Sequence, residues 1–136
     1  MTQELDGKSR AEMIEYRLDK SKETLQEADY LIAGGYYSTA VSRLYYACYY
    51  AVVALLIKEH ISAQTHAGVK SMLSPHFVRT GKLSVQLAKD FFRLFDLRHS
   101  NDYDDFTFCD EDTIIDLRPK SETFIAEIEK LIKGIP

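Results

Sequence analysis

The chain has 136 residues, 46% of them hydrophobic and 28% charged, with a net charge of −4. That length suits one domain, 1–136, with a respectable core, and the composition is that of a soluble globular protein. The acidic balance argues against a general nucleic-acid coat, yet it is uneven: residues 1–56 sum to −2, 57–99 to +4 and 100–136 to −6, which leaves room for a local basic surface in the middle third.

The amino terminus, MTQELDGKSRAEM, has neither the apolar core nor the cleavage site of a signal peptide. The longest uninterrupted apolar run, Leu44 to Ile57, has fourteen residues and is too short to cross a bilayer. Cys48 and Cys109 form no CxxC pair, so the plain reading is a reduced, cytoplasmic protein with small buried thiols.

Strand signals are nearly absent. Ile14, Leu18, Ser21, Leu25, Ala28 and Ile32 recur at helical spacing and predict a first helix from about Ser9 to Ala33, ended by a left-handed cap at Gly34-Gly35. So short a link folds the second helix, about 37–59, antiparallel to the first. After a loop, Thr65 is placed to cap a shorter third helix, His66 to about Phe77, with Pro75 disturbing its end. Thr80-Gly81-Lys82 is a turn, and Ser84 caps a fourth helix reaching about Asn101. An acidic loop, Asp102 to Cys109, precedes the last helix, about 110–133. That helix begins with Asp110-Glu111-Asp112 and ends with Lys130 and Lys133, the charge order its dipole favours. Ile114, Leu117, Phe124, Ile128 and Leu131 keep one phase across Pro119, which predicts one kinked helix. The expected fold is all-α, an antiparallel bundle of four to five helices.

The second helix is the most unusual. Six of nine tyrosines (Tyr36, Tyr37, Tyr45, Tyr46, Tyr49 and Tyr50) fall within fifteen residues, around the single charge of Arg43. On a helical wheel Ala40, Val41, Leu44, Ala47, Cys48, Ala51, Val52, Ala54 and Leu55 form an aliphatic half. Ser38, Thr39, Ser42, Arg43, Tyr45, Tyr46, Tyr49 and Tyr50 form a polar one. Buried tyrosine hydroxyls need partners, so the polar half meets groups of its own fold, a second chain or a ligand.

In the fourth helix Arg98 lies within about 40° of Leu87, Phe91 and Leu94, and so extends the apolar stripe instead of facing water. A guanidinium there needs a partner. Two readings follow: an internal salt bridge with Asp102 at i+4, or an anion site in which Arg98 offers its fork of donors to phosphate. His60, His66, His76 and His99 have no metal-binding spacing and read as scatter. The run DYDDFTFCDED lacks the glycine and terminal glutamate of a calcium loop. No phosphate loop or nucleophile elbow occurs, and neither a metal nor a cofactor is expected.

Three segments taken together, GYYSTAVSRLYYACYYAVVALL, THAGVKSMLSPHFVRTGKLS and LFDLRHSNDYDDF, resemble the HEPN superfamily, in particular its small stand-alone prokaryotic members. The resemblance covers roughly residues 10 to 133. It implies a helical bundle, usually a homodimer, and an activity found in many members: metal-independent RNA cleavage, or service as a toxin paired with a nucleotidyltransferase antitoxin. The family's motif is an Arg, a polar residue and a His four to six positions after the Arg. Arg98 and His99 match its first two elements, but Asp102 and Tyr103 stand where the His is expected. Attack by a 2′-hydroxyl needs a proton acceptor near neutral pH; His has a pKa of about 6.5 and Tyr about 10. The expectation is therefore a nucleotide-, RNA- or partner-binding module of weak or no catalysis, with Arg98, Asp102, Arg43 and Tyr46 holding phosphate. The alternative is a ribonuclease using Arg98 with His99 or Tyr103.

Overall fold

The computed structural model describes residues 6–103 and 109–135, and of residues 100–103 the backbone alone. Five helices follow in order: α1 (Gly7–Ala33), α2 (Tyr37–Lys58), α3 (His66–Leu73), α4 (Val85–Tyr103) and α5 (Glu111–Lys133), with a π-helical turn, Ser74–Val78, continuing α3. Among the described residues there is no strand, and the fold is an all-α helical bundle, as expected.

Side chains set most of the helix ends. Asp6 caps α1 by accepting from the Ser9 amide at 2.7 Å, and Thr65 caps α3 by accepting from Gly68 at 2.9 Å. Ser84 accepts from Leu87 at 3.1 Å ahead of α4, and Asp110 from Thr113 at 2.9 Å ahead of α5. The left-handed cap expected at Gly34-Gly35 falls on the second glycine: Gly34 keeps a right-handed φ of −87°, and Gly35, at φ +80°, takes the left-handed position. A side chain other than glycine's is costly there, and the reversal lets Tyr36 N–H donate to Leu31 O at 2.8 Å.

The third helix also departs from expectation. Its α-helical part stops at Leu73, and the chain widens into the π-helical turn, with Arg79 N–H donating to Ser74 O at 2.9 Å. Pro75 is the cause: it has no amide to donate, and its ring crowds the preceding turn, so the wider winding relieves both faults. Pro119, by contrast, sits inside one continuous α5, carried across by Ile114, Leu117, Phe124 and Ile128, all buried. Helix α4 extends two residues beyond the expected Asn101, to Tyr103; the acidic loop expected over 102–109 otherwise lies outside the described residues, save that Cys109 N–H donates to Ser38 Oγ at 3.0 Å.

Helix α2 is the centre of the bundle and packs on α1, α4 and α5. Its alanines allow close approach, and the buried Ser21 hydroxyl of α1 donates to the Ala47 carbonyl at 2.6 Å. At the other end of the pair, Arg10 Nη1 donates to Ile57 O at 2.6 Å, which sets the antiparallel register. As a whole, α2 is long and apolar enough to span a bilayer, with a mean hydropathy of 1.5. The fourteen-residue run therefore understated it, because the flanking Tyr, Ser and Thr also count toward length. What marks it as a core helix is its burial: 61% of that window is enclosed by the other helices. Phe91 of α4 stacks on Phe124 of α5 at 5.3 Å and on Tyr45 of α2 at 5.7 Å, so one column of rings joins three helices.

Candidate functional site

The aliphatic half of α2 is wholly buried, as expected. The tyrosine half divides. Tyr45, expected on the polar side, is fully enclosed: the approach of α4 places Phe91 and Phe95 against its ring, and only its hydroxyl stays polar in company, 2.8 Å from His66 Nδ1. Tyr46, Tyr49 and Tyr50 are half-buried and form the floor of the site.

Arg98 comes to this floor from α4. Its Nη2 donates to the Tyr46 hydroxyl at 2.9 Å, and its guanidinium carbon lies 5.3 Å from the Tyr46 ring and 5.7 Å from the Tyr45 ring. The cation thus lies beside π-faces that are attractive to it and less costly than a bare apolar wall. Arg43, one turn before Tyr46 on α2, sets its guanidinium 5.0 Å from that same ring. Arg17 of α1 lies 5.9 Å from both Tyr16 and Tyr50. Among the described residues, no carboxylate is within salt-bridge distance of Arg17 or Arg43. Three helices therefore direct positive charge over one tyrosine stripe.

His66 completes the cluster. As the first residue of α3, its ring is held 4.4 Å from the Tyr49 ring and edge-on to Tyr46 at 5.7 Å. Burial, and then the nearby Arg98 charge, push its pKa below the usual value. Burial pushes the Tyr45 and Tyr49 hydroxyls up, so both remain protonated. Beyond Phe95 the site continues into a groove of about 390 Å³ between α3 and α4, where Lys70 Nζ stands 4.5 Å from the Phe95 ring and 5.3 Å from Phe92.

Of the residues singled out from sequence, Arg98, Tyr46 and Arg43 come together. His99 is exposed, at the next position around α4. The backbones of Asp102 and Tyr103 lie in the last turn of α4, but their side chains, and with them the expected Arg98–Asp102 pair, lie outside the described residues. Sequence reading missed His66 and Arg17. Only the Thr65 cap hinted that His66 begins a helix, and nothing local showed that this helix end meets α2. Arg17 resembled any charged residue on the outer face of α1.

An all-α bundle is the architecture that the resemblance to the HEPN superfamily implies. The comparisons agree: the HEPN domain family model matches residues 14–131, and the chain belongs to that family. A UPF0332 protein of Thermotoga maritima is 36% identical over 123 residues, 90% of this chain and 93% of that one. A protein of Methanocaldococcus jannaschii named "Putative toxin MJ0142" is 33% identical over 91 residues, 67% of this chain and 62% of its own length. A UPF0332 protein of Archaeoglobus fulgidus is 26% identical over 119 residues, 88% of this chain and 94% of that one.

Proposed function

We propose that this chain is a HEPN module that binds nucleotide or RNA phosphate at Arg98, with Arg43 and Arg17 continuing the contact along the tyrosine stripe. The observation that carries the reading is the meeting of three guanidiniums, from α1, α2 and α4, over the rings of Tyr46 and Tyr50. Phosphate is held by charge and forked donors, and bases stack on aromatic faces. The groove beside Phe95, with Lys70 at its wall, offers the same pairing of a cation with aromatic rings.

Asp102 and Tyr103 are the motif companions of Arg98, and the motif itself brings no imidazole at position 103. The module is accordingly weak or inactive as an enzyme if it relies on the motif alone. A second reading, a metal-independent endoribonuclease acting as the toxin of a toxin–antitoxin pair, draws on the name carried by the Methanocaldococcus relative and on the imidazole lying among the tyrosines. In either reading we take the working unit to be a homodimer, with a nucleotidyltransferase as a candidate partner.

The test is fluorescence anisotropy with a labelled single-stranded RNA over a series of salt concentrations. The wild type should bind, with affinity falling as salt rises. Arg98→Ala should weaken binding by roughly 10- to 100-fold, the range for a lost charge-assisted bond, and Arg43→Ala by less. Binding indifferent to both substitutions sinks the proposal. Light scattering at micromolar concentration tests the dimer.

A further inference from the structure

His66 is the one imidazole in contact with the tyrosine stripe among the described residues, and three constraints hold it there. Thr65 fixes the start of its helix, the Tyr49 ring lies tilted against its own at 4.4 Å, and the Tyr45 hydroxyl meets Nδ1 at 2.8 Å. Tyr45 cannot shift, because it is fully buried in the ring column with Phe91. The charged and titratable groups that face His66 are Tyr45, Tyr46 and Tyr49 of α2 and Arg98 of α4; Lys70, one turn along α3, is turned to Phe95 and to Asp96, 3.8 Å from it. With Nδ1 taken by Tyr45, Nε2 makes no hydrogen bond among the described residues and is the nitrogen a ligand would meet.

We propose that His66 supplies the proton-transfer group that the motif on α4 lacks, so that RNA held at Arg98 is cleaved with Nε2 as the base. The proposal rests on the phosphate-binding reading above. In the step, the 2′-hydroxyl proton passes to Nε2 as the O2′–P bond forms. The P–O5′ bond breaks, and the leaving 5′-oxygen takes a proton from water. The products are a 2′,3′-cyclic phosphate and a 5′-hydroxyl, and His66 returns its proton to solvent. Throughout, Nδ1–H donates to the Tyr45 oxygen, which keeps the ring oriented in both protonation states. Burial and the Arg98 charge push its pKa below the usual value, which favours the unprotonated ring able to accept the proton.

The experiment follows a 5′-labelled single-stranded RNA with the full chain, reading anisotropy and cleavage products together. The wild type should yield cyclic-phosphate ends, with a rate that falls on the acid side below about pH 6.5. His66→Gln should bind RNA within about threefold of wild type yet cleave roughly 100-fold or more slowly, and free imidazole should restore cleavage to His66→Ala. Tyr45→Phe should move the acid limb without abolishing binding. RNA that is bound but left intact by the wild type, or cut equally by His66→Gln, overturns the role of His66 and leaves the phosphate site standing. No binding at all overturns both. Should the His66 variants fail to fold, the wild-type pH profile decides: cleavage without an acid limb overturns the proposal.

Discussion

Tyr45 separates what the core requires from what the site requires, and substitution can measure each. Its ring is fully buried against Phe91, Phe95, Tyr46, Tyr49 and His66, and its hydroxyl is hydrogen-bonded to His66 Nδ1 at 2.8 Å. Tyr45→Phe keeps the ring and deletes the bond. An intramolecular hydrogen bond contributes about 1 kcal/mol net, and because His66 is only half-buried, water can take up part of the loss. The expected cost is therefore roughly 0.5–1.5 kcal/mol. Tyr45→Ala removes the ring as well and should cost about 3–5 kcal/mol, the range for deleting a buried aromatic. Against a total stability of roughly 5–15 kcal/mol, the first variant remains folded and the second approaches the limit. Urea unfolding followed by far-UV circular dichroism gives both values. A double-mutant cycle of Tyr45→Phe with His66→Ala then isolates the pair, with an expected coupling of about 1 kcal/mol. A coupling within about 0.3 kcal/mol of zero would refute the hydrogen bond as an energetic link between core and site.

Three further outcomes follow from the same geometry. Burial and the low-dielectric core push the Cys48 thiol up to about 12, so a thiol reagent at pH 8 should label it only at the rate of global unfolding; prompt labelling in native buffer would contradict its burial. Arg118 joins α5 to α1 with a fork to Asp29, at 2.6 and 3.0 Å, and also reaches Glu122 at 2.8 Å, but Asp29 is about half exposed. Arg118→Ala should thus cost no more than about 1 kcal/mol, with the difference from wild type shrinking in high salt. The lowered pKa of His66 means that the unfolded chain takes up its proton first, so this group's contribution to stability is present above about pH 6.5 and is lost as pH falls through the folded value. The urea midpoint of wild type should therefore fall more steeply from pH 7.5 to 5 than that of His66→Gln, and parallel curves would rule the effect out.

Local patterns determined most of the bundle. Apolar spacing placed α1, α2, α4 and α5 to within about two residues, because a helical face must be buried and its period shows which face. Caps did the rest: Thr65 and Ser84 accept the amides expected of them, and Asp110, expected only as a charge at the helix start, also accepts one, since a helix start leaves donors that only nearby side chains reach. The π-helical turn was half legible, for Pro75 announced a disturbance without saying how the backbone would absorb it. The site was less so. Arg98 stood out because a guanidinium on an apolar stripe is a local contradiction, and Arg43 and Tyr46 because of their density on one helix. Which hydroxyl receives Arg98 depends on how α4 crosses α2, and that crossing is decided by ring packing between helices some fifty residues apart, with Tyr46 accepting across a separation of 52. His66 and Arg17 carry no local contradiction at all. Only the tertiary structure could bring them to the tyrosines, because their role lies in neighbours contributed by other helices and not in any spacing along their own.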